Sequence, residues 1–354
     1  MKQRLKNCQQ KRGKIKFGTE KLLSKSSFQE VIKGVLLVGG LAASTIVLQH
    51  GTGLKTLSPL ILAIILGIFV RNTIGVAPVF QPGIRFSLKR ILRLAIILLG
   101  LRLSLIEVMT VGSTGLLIVG VTLVSTFWFT CWLGKRLGIN TKLTQLIAAG
   151  TSVCGASAVV ATNSVVEGTE EDTAYAVAMV TAFGSIAMLL YPVLPALLQL
   201  TPEAFGVWCG ASIHEVAQVV AAAFQHGVVS GELATIAKLS RILFLAPMIV
   251  LLGIFSVKSK SVEQKLSWQQ LPIPWFILFF LVVVVMNSLQ LIPEMLKALL
   301  IQTNYFFLTL SLAAMGLETN LHKIKQSGIK PVYLAGASWM FLASLSLVLI
   351  EVFY

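Results

Sequence analysis

The sequence predicts an all-α polytopic membrane protein, and three observations carry that expectation. Of its 354 residues, 56% are hydrophobic and 12% charged, with a mean hydropathy of +0.85. Soluble domains carry about 25% charged residues, so a soluble fold is excluded. Apolar runs long enough to cross a bilayer as helices, about 20 residues each, recur between short charged or Pro- and Gly-containing connections. The lysines and arginines collect in alternate connections, as the positive-inside rule requires.

Eleven candidate spans follow, at about 33–49, 57–75, 91–109, 111–133, 142–165, 173–193, 204–225, 233–256, 273–292, 299–317 and 331–352. Residues 1–30 form a basic tail and 31–354 the transmembrane domain. Ten of the 29 Lys and Arg fall in the first 33 residues, opposed by Glu20 and Glu30. Such a tail belongs in the cytoplasm, drawn to anionic lipid headgroups. It is too long and too basic for a signal peptide, and the first apolar run leads into more membrane. With the N-terminus inside, the inner connections hold Arg71, Arg85, Lys89, Arg90, Arg93, Lys135, Arg136, Lys142, Lys258, Lys260, Lys265, Lys323, Lys325 and Lys330. The outer loops keep Lys55 and Lys297, and one carries the acidic cluster Glu167, Glu170, Glu171 and Asp172. The net charge of +15 is thereby a topology signal rather than a nucleic-acid footprint. An odd number of spans puts Tyr354 outside.

Eleven spans divide as one plus five plus five, and an odd repeat length inverts the second copy, the usual transporter plan with discontinuous helices. The four cysteines, Cys8, Cys131, Cys154 and Cys209, have no metal-ligand spacing, so neither a disulfide, a zinc site nor another cofactor is expected.

Span five contains Gly150, Thr151, Ser152, Val153, Cys154, Gly155, Ala156 and Ser157. Small and hydroxyl residues at mid-membrane depth suit an interrupted helix, because hydroxyls can bond a freed backbone where lipid cannot. A half-helix starting after Gly155 would point free N–H groups and a positive dipole end at the membrane centre, an anion site. Close small-residue packing of an unbroken helix is the alternative. Span seven repeats the signature as Cys209, Gly210, Ala211 and Ser212, 55 positions on, followed by His214, Glu215 and Gln218. The inverted partner of span five would be span ten, interrupted at Ala313, Ala314, Met315 and Gly316.

Glu215 is a carboxylate deep in an apolar segment, where an ionisable residue marks function, with His214 beside it as the better titrator near neutral pH. His214, Glu215 and Gln218 are candidates for proton coupling; a structural pair of Glu215 with Lys238 or Arg241 is the alternative. Gln218 stands where a zinc protease motif would need a second His, so no metal is expected there. Lys238 and Arg241 lie three apart on one face of span eight, either snorkelling to the outer interface or facing a substrate. Span three, the repeat partner of span eight, carries Arg102. Three cations brought to a common centre favour an anionic substrate.

At these stretches, Gly100 to Ser104, Gly150 to Ala158, Gly210 to Gln218 and Lys238 to Arg241, the sequence resembles the sulfate exporter family of YeiH-type bacterial membrane proteins. The resemblance runs from about residue 31 onward. It implies a multi-pass secondary transporter of the bacterial cytoplasmic membrane, related at fold level to the sodium/proton antiporter and bile-acid symporter group, with broken, crossing helices. Export of sulfate after sulfonate breakdown is the role proposed for its members. A sodium site built from several carboxylates does not fit a chain in which Glu215 is the sole central one.

The expected function is secondary transport of a small anion such as sulfate, a related sulfur oxyanion or an organic anion. Thr151, Ser152, Cys154, Gly155, Ser157, Ser212, Arg102, Lys238 and Arg241 would form its binding site. A proton- or sodium-coupled cation antiporter using Glu215 is the second reading, and an intramembrane enzyme the third. The expected partners are the anion, the bilayer and, for assembly, a second copy of the chain in a homodimer.

Overall fold

The computed structural model of the protein describes residues 25–52, 58–257, 275–319 and 329–353. Most of the basic tail and loop lysines 55, 258, 260, 265, 323 and 325 lie outside the described residues, which are helical or irregular and contain no strand.

In chain order the helices are α1 Lys25–Thr52, α2 Pro59–Thr73, α3 Gln81–Phe86, α4 Leu92–Leu99, α5 Leu105–Arg136, α6 Thr141–Ser152, α7 Ala156–Val166, α8 Glu170–Leu190, α9 Pro195–Leu198, α10 Pro202–Ser212, α11 Val216–His226, α12 Val228–Leu243, α13 Leu245–Val257, α14 Trp275–Ser288, α15 Glu294–Glu318 and α16 Ile329–Phe353. Local chemistry sets several starts: Ser58, Asn140, Thr169 and Thr201 cap α2, α6, α8 and α10, and Pro59 and Pro202 occupy first-turn positions that need no N–H donor. A π-type turn at Ser87–Ile91 carries α3 into α4. Among the described residues, six stretches are long and apolar enough to cross a membrane: Phe28–Gln49, Gly115–Arg136, Glu170–Val193, Val228–Gly253, Glu294–Glu318 and Ile329–Phe353.

The helices pack as two groups. One comprises α1, α2, α3, α4, α14 and α15; the other comprises α5 to α8, α10 to α13 and α16. The first group is held at close backbone crossings. A Cβ on Gly67 of α2 would lie 2.6 Å from the Ala313 carbonyl oxygen and 2.8 Å from Cα of Gly316 on α15, so only glycine permits this approach. The expected interruption at Ala313 to Gly316 is accordingly absent; these residues continue α15 and serve as its contact face. In the second group, Trp208 donates its indole N–H to the Ala343 carbonyl at 3.0 Å and stacks on Tyr191 at 4.0 Å.

Span five breaks within its small-residue cluster, at 153–155, and span seven just after its own, at 213–215, but neither continues across. Lys142 at the start of α6 donates to the Glu167 carbonyl at the end of α7, 2.7 Å away. A helical run of that length would separate the two residues by about 37 Å. Phe205 on α10 and His226 at the end of α11 likewise meet with ring centroids 5.0 Å apart. Each segment is therefore a hairpin of two 11- or 12-residue arms that returns to the end it came from.

The hairpins enter from opposite ends of the molecule. They are joined through α8, whose 21 residues span about 32 Å, and both tips reach its middle. Gly150 beside the first tip packs on Val180, and Glu215 of the second accepts a bond from Thr181. The eleven-span reading is corrected at these two segments. The acidic cluster is corrected with it: Glu167 lies at the same end as Lys142, not at the opposite one.

Spin labels on a Lys142→Cys/Glu167→Cys pair should report the short distance of a hairpin base by pulsed electron spin resonance. A distance near the ~37 Å of a continuous run would refute the reversal.

Candidate functional site

Four helix ends converge where the tips meet: the C-terminal ends of α6 and α10 and the N-terminal ends of α7 and α11. Such ends leave unpaired carbonyls and amides, which hydrocarbon cannot satisfy.

The carbonyls are met by α12. Lys238 Nζ donates to the carbonyls of Val153 at 2.9 Å and Ile213 at 2.8 Å, one from each tip. Arg241 donates through Nε to Ser152 at 2.6 Å, through Nη1 to Ala211 at 2.7 Å and through Nη2 to Thr151. Two cations thus stand at two helix C-termini, where the macrodipole is negative. Both are 0% exposed. Because α12 begins at Val228, Lys238 lies about 15 Å along it. The snorkelling alternative is not what is found: both headgroups are buried and bonded to the carbonyls of the tips.

The amides are met by Glu215, in extended backbone ahead of α11. Its carboxylate accepts from Thr181 Oγ1 at 2.8 Å and from the first turn of α11, and it lies against the backbone of Ala156 that opens α7. Gln218 completes the cap, accepting from the Glu215 N–H at 3.1 Å while its amide donates to the Thr181 carbonyl and to Ser185 Oγ. Gly155 makes room for this. Its φ of +73° is strained for any side chain, and a Cβ there would lie 2.6 Å from Glu215 Cγ. No ion pair within 4.0 Å joins Glu215 to Lys238 or Arg241 among the described residues, so the structural-pair alternative is also overturned.

The remaining expected residues divide. Thr151, Ser152 and His214 are buried at the tips, and their side-chain hydroxyls and both imidazole nitrogens have no protein partner. Cys154 is buried within electrostatic reach of Lys238, Arg241 and Glu215. Ser212 is buried and spends its hydroxyl on the Trp208 carbonyl of its own helix. Ser157 is on the tip but exposed. Arg102 is not brought to the centre: it ends a short 3-10 turn after α4, its guanidinium 6.0 Å from the ring of Phe224 near the base of the second hairpin. Sequence reasoning missed Thr181, Gly184 and Ser185 on α8. A Cβ on Gly184 would fall 2.0 Å from Gln218 Oε1; the available signal was a hydroxyl and glycine cluster mid-way along an apolar run. No three His, Cys, Asp or Glu side chains among the described residues come together as a metal site.

A family profile described as Conserved hypothetical protein 698 matches residues 33–335. The chain belongs to this family. A UPF0324 membrane protein of Pseudomonas aeruginosa is 39% identical over 342 residues, covering 93% of this chain and 96% of the relative. The UPF0324 inner membrane protein YeiH of Salmonella typhimurium is 38% identical over 317 residues, 88% of each chain. YeiH of Escherichia coli K12 is 38% identical over 310 residues, 86% of each. This is the YeiH-type family that the sequence resembles, and its relatives are inner membrane proteins. No solved structure matches the chain.

Arg241→Met removes a buried cation from three carbonyls and should cost about 3 kcal/mol or more, seen as a lowered melting temperature in detergent. Ser157→Ala, at an exposed position, should melt within error of wild type.

Proposed function

We propose that the protein is a secondary transporter of a small anion, with sulfate, a related sulfur oxyanion or a small organic anion as substrate. The carrying observation is the charge at the hairpin tips: two fully buried cations, Lys238 and Arg241, against one carboxylate, Glu215. The four helix ends contribute two positive and two negative dipole poles, which offset one another, so one formal positive charge is left over with His214 neutral. A buried charge is costly unless paired, and a transported anion is the natural partner. Thr151, Ser152 and His214 supply polar side chains free of protein bonds at the same place. Re-entrant backbone at membrane depth is tolerated where it lines a substrate path, and alternating access would come from one helix group moving against the other.

In this reading the chain crosses the membrane nine times, through α1, α2, α3–α4, α5, α8, α12–α13, α14, α15 and α16, and the hairpins enter from opposite faces. The N-terminus is inside and the C-terminus outside, since two crossings replaced by hairpins leave the parity unchanged and the basic connections still fall within. The one-plus-five-plus-five inverted repeat is not part of the proposal, because spans five and seven are not crossings. No enzymatic step is invoked.

A cation antiporter remains the competing reading, favoured by the bonds that fix Glu215. Counterflow of labelled sulfate, sulfite and small organic anions in proteoliposomes tests the choice. Wild type should exchange at least one of them, and Lys238→Ala should reduce that exchange by tenfold or more, about 1.4 kcal/mol. Proton or sodium movement with no anion flux would refute anion transport.

A further inference from the structure

The place where an incoming anion would find two half-helix N-termini is already held by an anion belonging to the chain. The Glu215 carboxylate takes the first-turn N–H of α11 and the Thr181 hydroxyl and packs against Gly155 and Ala156 where α7 begins, drawing both hairpin tips and α8 onto one group. It is held by neutral donors alone, because Lys238 and Arg241 are committed to carbonyls of the opposite helix ends. It is also the accessible member of the set: Glu215 is half-buried, whereas Lys238 and Arg241 are wholly enclosed. Beside it, His214 is 1% exposed with neither ring nitrogen partnered, and the Thr151 and Ser152 hydroxyls are free in the same sense. A second anion could be received by those groups only against repulsion from the resident carboxylate.

We propose that Glu215 is a tethered competitor of the transported anion, which settles at the hairpin tips as the carboxylate takes up a proton, so that anion and proton move together. This rests on the anion-transport reading above. Protonation removes the negative charge from between the two N-termini while a carboxylic acid can still bond to Thr181, so the tips stay together as their net charge rises from one to two positive. The groups facing Glu215 are Lys238 from α12, Thr181 from α8, Cys154 from the first tip and Gln218 of its own helix, while the adjacent His214 lies within electrostatic reach of Lys238 and Arg241. The two basic side chains draw in either competing anion, so the proton on Glu215 decides between them.

The test uses the full chain in proteoliposomes, with whichever of sulfate, sulfite or acetate the wild type exchanges. Flux driven by an anion gradient should rise as pH falls from 8 to 6, by up to about tenfold per unit for a single proton, and a trapped pH dye should report proton movement in the same direction as the anion. Glu215→Gln keeps the shape and the Thr181 bond; it should still exchange anions, with a flat pH profile and no proton movement. A wild-type flux equal at pH 6 and pH 8 without proton movement overturns the proposal, as does a Glu215→Gln protein of wild-type melting temperature that moves no anion. Should that variant melt early, the wild-type pH profile and proton flux decide alone. If wild type moves no anion at any pH, the transport reading itself falls, a result distinct from uncoupled transport.

Discussion

A helix that stops in the middle of a membrane leaves its last carbonyls or first amides with no solvent to satisfy them, and this fold brings four such ends to one depth. Much of the architecture answers that constraint. The negative ends of α6 and α10 share Lys238 and Arg241, and the positive ends of α7 and α11 share Glu215. Each charged side chain touches both hairpins, so neither hairpin can hold its tip alone. The partners come from the longer helices behind the tips: α12 brings the cations, and α8 brings the Thr181 hydroxyl that donates to Glu215 and the Ser185 Oγ that accepts from the Gln218 amide. At 11 or 12 residues each arm is about 17 Å long, roughly half the thickness of a bilayer's hydrocarbon core.

The two helix groups meet mainly through α11, which packs on α2 and α15, with a lesser contact between α14 and α5. At that seam Gln225 accepts the backbone N–H of Ser58 at 2.7 Å, and the Arg102 guanidinium lies over Phe224. The second hairpin therefore has two roles. Its tip builds the polar centre, and its returning arm carries the boundary along which the groups would slide. Arg102 belongs to this boundary rather than to the centre.

Much of this was legible in the residues. The composition pointed to the membrane, and the glycine and hydroxyl cluster of span five located its break; the like cluster of span seven lies just ahead of the second break, and that of span ten marks none. The ionisable residues of the centre, Glu215, Lys238 and Arg241, stood out by their rarity in apolar runs. Direction did not show. Two arms of about eleven residues with a three-residue tip have the length and hydropathy of a single crossing, so a window of crossing length reads a hairpin as a span. The contrary sign is a backbone one: the Glu167 carbonyl accepts from Lys142 Nζ, a contact that counting side-chain charges does not record. The roles of the cations were hidden for a related reason. Their partners are backbone carbonyls, which no side-chain pattern records; the sequence pointed instead to a substrate anion, with the outer interface or an ion pair with Glu215 as alternatives. Thr181, Gly184 and Ser185 were passed over because a hydroxyl in an apolar helix ordinarily bonds back to its own turn, as Ser185 also does.

Cys154 sits in the first tip, between Val153, whose carbonyl holds Lys238, and Gly155, which makes way for Glu215. Its thiol is free and 6% exposed. A sulfur sealed by the meeting of the hairpins meets a reagent only when they part. It is thus a native clock for the junction: its rate of alkylation counts how often the two halves of the centre separate, and a bound substrate that holds them together would slow that clock.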